Sequence, residues 1–197
     1  MTPIICPKCG SDNTIVLKGF ITSDHKPTKI EANYEKEKED STLLKKTPTY
    51  HCHHCGKDFG GDNTHLEKST TRIYLTTHRK GMVNQKLTFS KTDTGATFEG
   101  PFLCYYPDLP EIYVSHEEWA RLLKAFYDLY VFDWKTDYKH PDSSYAFGWE
   151  LKIKFEDQET LNFQGENQYP PYWDALMDLF VSFGLPNIKN KLGQNFM

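Results

Sequence analysis

Long apolar runs are missing from this chain. No stretch of its 197 residues approaches the roughly 18 consecutive apolar residues of a membrane-crossing helix, so no membrane partner is expected. The first residues show no basic segment leading into an apolar one, which excludes a secretory leader from the reading. An excess of positive charge is missing too. Lys and Arg total 23 against 27 Asp and Glu, a formal net charge of −4, and that balance disfavours a broad electrostatic grip on DNA or RNA. A local basic patch remains compatible with it. There is no Gly-x-x-x-x-Gly-Lys-Ser/Thr phosphate loop and no Gly-x-Ser-x-Gly elbow. Cysteine is scarce, five in all, yet four of the five fall in two close pairs. A cytoplasmic address follows by elimination, and in a reducing compartment paired cysteines are more often metal ligands than disulfides.

What the chain does contain is typical of a folded globular protein, at 38% hydrophobic and 25% charged. Aromatic residues reach 15%, many of them after residue 98, which predicts a ring-rich core in the C-terminal part.

The cysteine pairs are Cys6-Pro7-Lys8-Cys9-Gly10 and Cys52-His53-His54-Cys55-Gly56. A two-residue gap lets the backbone fold into a knuckle with both sulfurs aimed at one centre. The following glycine supplies the conformation that the turn needs. Two knuckles supply four thiolates, which close a tetrahedral shell and leave no position for water or substrate. The expected site is therefore structural, with zinc as the metal; iron is the alternative for a four-thiolate set. His51, His53 and His54 crowd the second knuckle and read as surface residues beside it. Cys104, within Phe102–Tyr106, reads as a small buried apolar residue.

The run from Cys6 to Val16, with Tyr50 to Phe59 later, resembles the zinc ribbon family over about the first 60 residues. In that family the cysteine pairs sit on two turns with short strands between and beyond them. The resemblance implies Cys6, Cys9, Cys52 and Cys55 as the metal ligands, and strands at Asn13–Phe20, Thr47–His51 and Lys57–Phe59. The pairs stand 42 residues apart, positions 10 to 51, which is longer than a minimal ribbon. Residues 24–46 form a highly charged insertion.

Beyond about residue 68 the pattern changes. Arg72 to Thr77 is rich in β-formers. Val83, Gln85, Leu87 and Phe89 then alternate with polar residues, and 91–95 is a turn signal before strand-like residues resume at Ala96. Ser115 with Glu118 makes a capping box, followed by Trp119, Leu122, Leu123, Phe126 and Tyr130 at helical spacing. Residues 135–144 read as a polar loop. From Phe147 to Phe155 the odd positions are all apolar, a half-buried strand that turns through 156–159 into a second strand. Trp173, Leu176, Met177 and Phe180 mark a helix after Pro170 and Pro171, with Gly184 placed to end it.

The expected class is α+β. A small N-terminal β zinc ribbon (1–67) is followed by a larger antiparallel sheet domain with two helices on one face (68–197), in the order β-β-β-α-β-β-α. The stretch from Trp149 to Phe180 is also similar to uncharacterised bacterial proteins that pair a strand hairpin with a Tyr-Pro-led helix, which implies a bacterial setting and no activity.

Candidate chemistry is thin. His78, Arg79 and Lys80 before Gly81 suit a solvated turn better than an anion site. His116 and Glu117 lack the second histidine of a zincin and read as first-turn polar groups. The run Gly165 to Trp173 mixes rings, amides and prolines. It offers either a recognition surface or, more simply, an anchor of the helix to the sheet through Tyr169 and Trp173. No catalytic residue set is identified. The expected function is a non-enzymatic protein-interaction module with a structural zinc site. The alternatives are nucleic-acid binding through Lys8, Lys18, Lys57 and the ribbon histidines, and an enzyme whose site is assembled from residues distant in sequence.

Overall fold

The computed structural model describes residues 4–17, 47–79, 82–100, 111–139 and 147–185. The charged run 24–46, Lys18, Lys80, Gly81, Cys104, Pro141 and Pro186 lie outside them. Within the described residues the protein is α+β, built on two sheets.

Strands β1 (Thr14–Val16), β2 (Tyr50–Cys52) and β3 (Asp58–Phe59) form a three-stranded antiparallel sheet in that order. They fall where the three ribbon strands were expected: β1 spans Thr14–Val16, with residues 18–20 of its expected span outside those described, β2 starts later than expected and runs to Cys52, and β3 starts one residue late. The Lys57 carbonyl, just before β3, accepts the Cys52 amide at 3.0 Å and closes the second knuckle.

The second sheet has seven strands: β4 (Thr70–Arg79), β5 (Met82–Thr92), β6 (Gly95–Glu99), β7 (Ile112–Ser115), β8 (Asp137–Lys139), β9 (Phe147–Phe155) and β10 (Leu161–Glu166). Their order is β7-β6-β5-β4-β9-β10-β8, antiparallel throughout except where β8 runs parallel to β10. The β4-β5-β6 meander and the β9-β10 hairpin match expectation. Two strands and a short helix do not. Strand β7 has four residues, too few for its alternation to stand out beside the helix cap that follows. Strand β8 lies in the polar stretch expected to be loop. Three residues cannot define a strand by pattern, and this one exists because β10 offers it a partner. Helix α1 (Thr64–Ser69) is likewise too short for a periodic signal and delivers Leu66 to the core.

Helices α2 (His116–Tyr127) and α3 (Trp173–Ser182) cover one face of the large sheet. The sheet presents Ile73, Leu75, Leu87, Phe89, Phe98, Trp149, Leu151 and Ile153 on that face, all buried. Ring contacts show the match: Phe89 lies 4.6 Å from Phe180, Phe98 6.5 Å from Trp119, and Trp149 4.7 Å from Trp173. Burying each such side chain contributes about 1.5–3 kcal/mol. The capping box forms as read. The Glu118 amide donates to Ser115 Oγ at 3.2 Å, and the Ser115 amide donates to Glu118 Oε2 at 2.9 Å. Those bonds from the Ser115 amide and hydroxyl hold the Glu118 carboxyl below its ordinary range. The helical stripe, however, stops at Tyr127. Tyr130 sits in the left-handed region at φ 55°, followed by a 3-10 turn at Val131–Asp133, and its ring leaves the helix face.

Gly165 shows how tightly the far end of the core is packed. A Cβ there would lie 2.4 Å from Trp149 Nε1, which donates to the Gln168 carbonyl at 2.8 Å. Gly165→Ala is expected to displace the indole and cost about 1–3 kcal/mol, seen as a lower urea midpoint at unchanged slope.

Candidate metal centre

The two knuckles have the same backbone design. In the first, the Cys6 amide donates to the Ser11 carbonyl at 2.8 Å and the Gly10 amide to the Cys6 carbonyl at 2.9 Å. In the second, the Cys52 amide donates to Lys57 at 3.0 Å and the Gly56 amide to the Cys52 carbonyl at 2.8 Å. Gly10 and Gly56 close these turns at φ 75° and 69°, a region that a Cβ would crowd. Strand pairing brings the knuckles together, with Thr14 opposite Cys52, and the His53 amide donates to the Asn13 carbonyl at 3.0 Å.

The result is one cluster. Cys6 Sγ lies 3.7 Å from Cys55 Sγ, and Cys9 Sγ lies 3.7 Å from Cys52 Sγ, so both short edges run between knuckles. All four sulfurs lie within 4.8 Å of one another, and none is in a disulfide. Metal–thiolate bonds of about 2.3 Å in a tetrahedron give sulfur–sulfur edges of about 3.8 Å. The spacing therefore fits one cation at the centre, and the four-cysteine group can hold a metal ion such as zinc. Cys6 and Cys52 are buried, while Cys9 and Cys55 lie nearer the surface.

The electrostatics agree with that fit. Burial pushes the Cys6 thiol up to about 12, only partly offset by the amides of Cys9 and Lys8 aimed at its sulfur. Burial also acts to raise Cys52. There the amides of Cys55 and His54 outweigh it, and the thiol comes down to about 7. The Cys9 thiol is raised, again by burial. Cys52 is thus readier to ionise than Cys6 and Cys9, which burial holds back. Four thiolates at this spacing would need a cation to offset their repulsion.

The neighbouring histidines do not join the cluster. His51 Nδ1 lies 2.6 Å from Asp58 Oδ1, its ring is edge-on to His53 at 5.2 Å, and His53 and His54 are exposed. Lys57 Nζ lies 3.9 Å from Asp133 Oδ1, and Lys8 is exposed. His116 Nε2 is 3.0 Å from the Asp93 carbonyl oxygen, at the start of α2. Within the run Gly165 to Trp173 the rings pack inward. Trp173 is buried and Tyr169 packs against both Trp149 and Trp173, at 6.4 and 5.0 Å, so the anchoring role is the one observed.

Sequence reasoning missed the contacts that seat the ribbon on the large sheet. The Tyr172 hydroxyl donates to the Ile5 carbonyl at 2.8 Å and accepts from the Ile5 amide at 3.1 Å. The Tyr138 hydroxyl donates to the Pro7 carbonyl at 3.3 Å. The buried Asp133 carboxylate accepts the Gly60 amide at 3.0 Å. Tyr130 packs edge-on against Phe59 at 5.4 Å and Tyr50 at 6.0 Å, and touches Tyr172 at 5.4 Å. Burial raises the Tyr172 hydroxyl and takes Tyr138 to about 12, so both remain protonated donors at neutral pH. These partners lie over 70 positions from the ribbon residues they hold, and no local pattern marks them.

No family model matches this chain, and comparison with curated proteins and with solved structures finds no match either.

Tyr172→Phe removes both bonds to Ile5 and leaves buried backbone groups unpaired, at a cost of about 1–3 kcal/mol. Faster amide exchange at residues 5–10 and faster removal of bound metal by a chelator are expected, with little change in exchange along β4 and β9.

Proposed function

We propose that the protein is a non-enzymatic protein-interaction module whose N-terminal ribbon is closed by a structural zinc ion on Cys6, Cys9, Cys52 and Cys55. The observation that carries this is the pair of 3.7 Å sulfur–sulfur edges between knuckles, which suit a single four-coordinate cation. Bound there, the ion supplies cross-linking and charge neutralisation. A four-thiolate shell has no open position through which it would activate a substrate. Zinc is taken over iron on the resemblance of the two knuckles to zinc ribbons, since a four-thiolate shell holds either ion.

The ribbon needs that cross-link. Among the described residues its buried core is Cys6, Cys52 and Phe59, with Ile4, Tyr50, Cys55 and Tyr130 packed around them. So few apolar side chains cannot offset the entropy of ordering the segment, and metal binding has to supply the difference.

A surface for a protein partner is offered by β1, the edge strand of the small sheet, where Ile15 and Val16 are 46% and 60% exposed. An extended partner segment can add to such an edge through main-chain bonds, with these two side chains as apolar contacts.

Elemental analysis of the purified protein is expected to find one zinc per chain; a red protein carrying iron would replace zinc with iron in the same shell. Cys52→Ser is expected to lose the metal and make residues 1–60 sensitive to limited proteolysis while the segment from β4 to α3 stays protected. Two halves equally resistant before and after that change would overturn the structural role of the metal.

A further inference from the structure

We propose that the face of the seven-stranded sheet turned away from α2 and α3 binds single-stranded nucleic acid, with Tyr74 as a base-stacking ring and Arg72, Lys86, Lys152 and Lys154 as phosphate contacts. This surface is separate from the ribbon and does not depend on the metal assignment.

Strands β5, β4 and β9 are the middle of the sheet, and α2 and α3 cover only the face that carries Phe89, Leu75 and Leu151. Side chains alternate along a strand, so the residues between those core positions point the other way. On β4 these are Arg72 and Tyr74; on β5, Lys86; on β9, Lys152 and Lys154. Register puts them side by side, with Arg72 opposite Lys154 and Tyr74 opposite Lys152 across the β4–β9 ladder, and Thr76 opposite Lys86 across the β4–β5 ladder.

Tyr74 is the centre of the group. Lys154 Nζ lies 5.5 Å and Lys86 Nζ 6.0 Å from its ring centroid, and Arg72 Nη1 donates to its hydroxyl at 3.3 Å. Burial acts to raise that phenol, yet the three cations outweigh it and lower it, in keeping with a positive local field. Arg72, Lys86 and Lys154 are exposed, and among the described residues none of them is in an ion pair with a carboxylate. The acidic groups on the same face nearest Tyr74 are Glu150, bound to Lys152 at 2.8 Å, and Glu99, opposite Thr88 on β6; Glu166 on β10 and Asp137 on β8 share the face further from the ring. Around Tyr74 itself, four cations against two carboxylates leave the patch locally positive within a chain whose formal net charge is −4.

Charge alone would suit any acidic partner. The ring at the centre of the cations narrows the choice. Unpaired bases have free faces that stack on an aromatic side chain while the phosphates alongside meet lysine and arginine, and an open sheet is a recurrent platform for this. A duplex keeps its bases stacked inside and would leave Tyr74 without a role. The lysine stems over the ring are long and exposed, so they can swing from the ring to flanking phosphates.

The test is fluorescence anisotropy of the full chain with a labelled 12-nucleotide single strand, DNA and RNA in turn, and the matching duplex. Single strands are expected to bind with a slope of log K against log salt near −2.8, about −0.7 for each of four phosphates. Lys86→Glu with Lys154→Glu is expected to weaken binding at least tenfold and flatten the slope. Tyr74→Ala is expected to weaken it roughly 5- to 100-fold with the slope kept, and Tyr74→Phe to retain binding. Lys124→Glu, on the opposite side of the sheet at α2, is the control and is expected to change nothing. Should Tyr74→Ala misfold by circular dichroism, the lysine pair and Tyr74→Phe still decide. No binding at low salt, duplex bound as tightly as single strand, equal loss with Lys124→Glu, or a poly-glutamate competitor that binds this face as tightly regardless of Tyr74 would each overturn the assignment.

Discussion

Two pairs of thiols, separated by 42 residues of chain, meet around one point, and the N-terminal ribbon is organised by that meeting. Sulfur is a poor hydrogen-bond partner and four thiolates repel, so packing alone gives no reason for them to converge. A cation at the centre would make the convergence favourable, helped by amides that each knuckle turns toward its sulfurs. The short strands, the matched glycine turns and the brief ladder between β1 and β2 all serve to present those sulfurs. Among the described residues the unit's own buried side chains are Cys6, Cys52 and Phe59, two of them cysteines of the cluster.

The ribbon nevertheless does not stand by itself. Tyr172, Tyr138 and Asp133 bind backbone groups of Ile5, Pro7 and Gly60, and Tyr130 completes the ribbon's aromatic cluster. Each polar contact saturates a main-chain group that the knuckle or hairpin leaves free, which is why the donors and acceptors are side chains of the larger part rather than a second ladder. The left-handed backbone of Tyr130 belongs to the same arrangement. It ends the stripe begun in α2 and redirects the ring toward Phe59. The four-cysteine cluster and the core of the large sheet are thereby neighbours in one packed structure.

The large sheet has two unlike faces. One is aromatic and covered by helices, and its contacts from Phe89 to Phe180 and from Trp149 to Trp173 are those of an ordinary core. The other carries Tyr74 among cations, and among the described residues neither α2 nor α3 lies over it. Polar alternation alone would keep it soluble, so a ring ringed by lysine and arginine is more than that requirement asks for.

Much of this was legible in the residues themselves. The knuckles, the capping box at Ser115 and Glu118, the period-two strand from Phe147 and the helix after Pro171 are local codes, written in spacings of two to four residues that act through the chain's own backbone. Their elements appear where expected. Strands β7 and β8 and helix α1 were not legible, because three to six residues carry no period and take their form from a partner. The same reason hid Tyr138, Asp133 and Tyr172 as supports of the ribbon, and hid the grouping of Arg72, Tyr74, Lys86 and Lys154, which sit on three different strands. By itself the amino-acid order determined which groups could bind a metal and where regular elements would form. Only the tertiary structure decided which distant side chains meet, because register and sheet order arise from packing the whole chain at once.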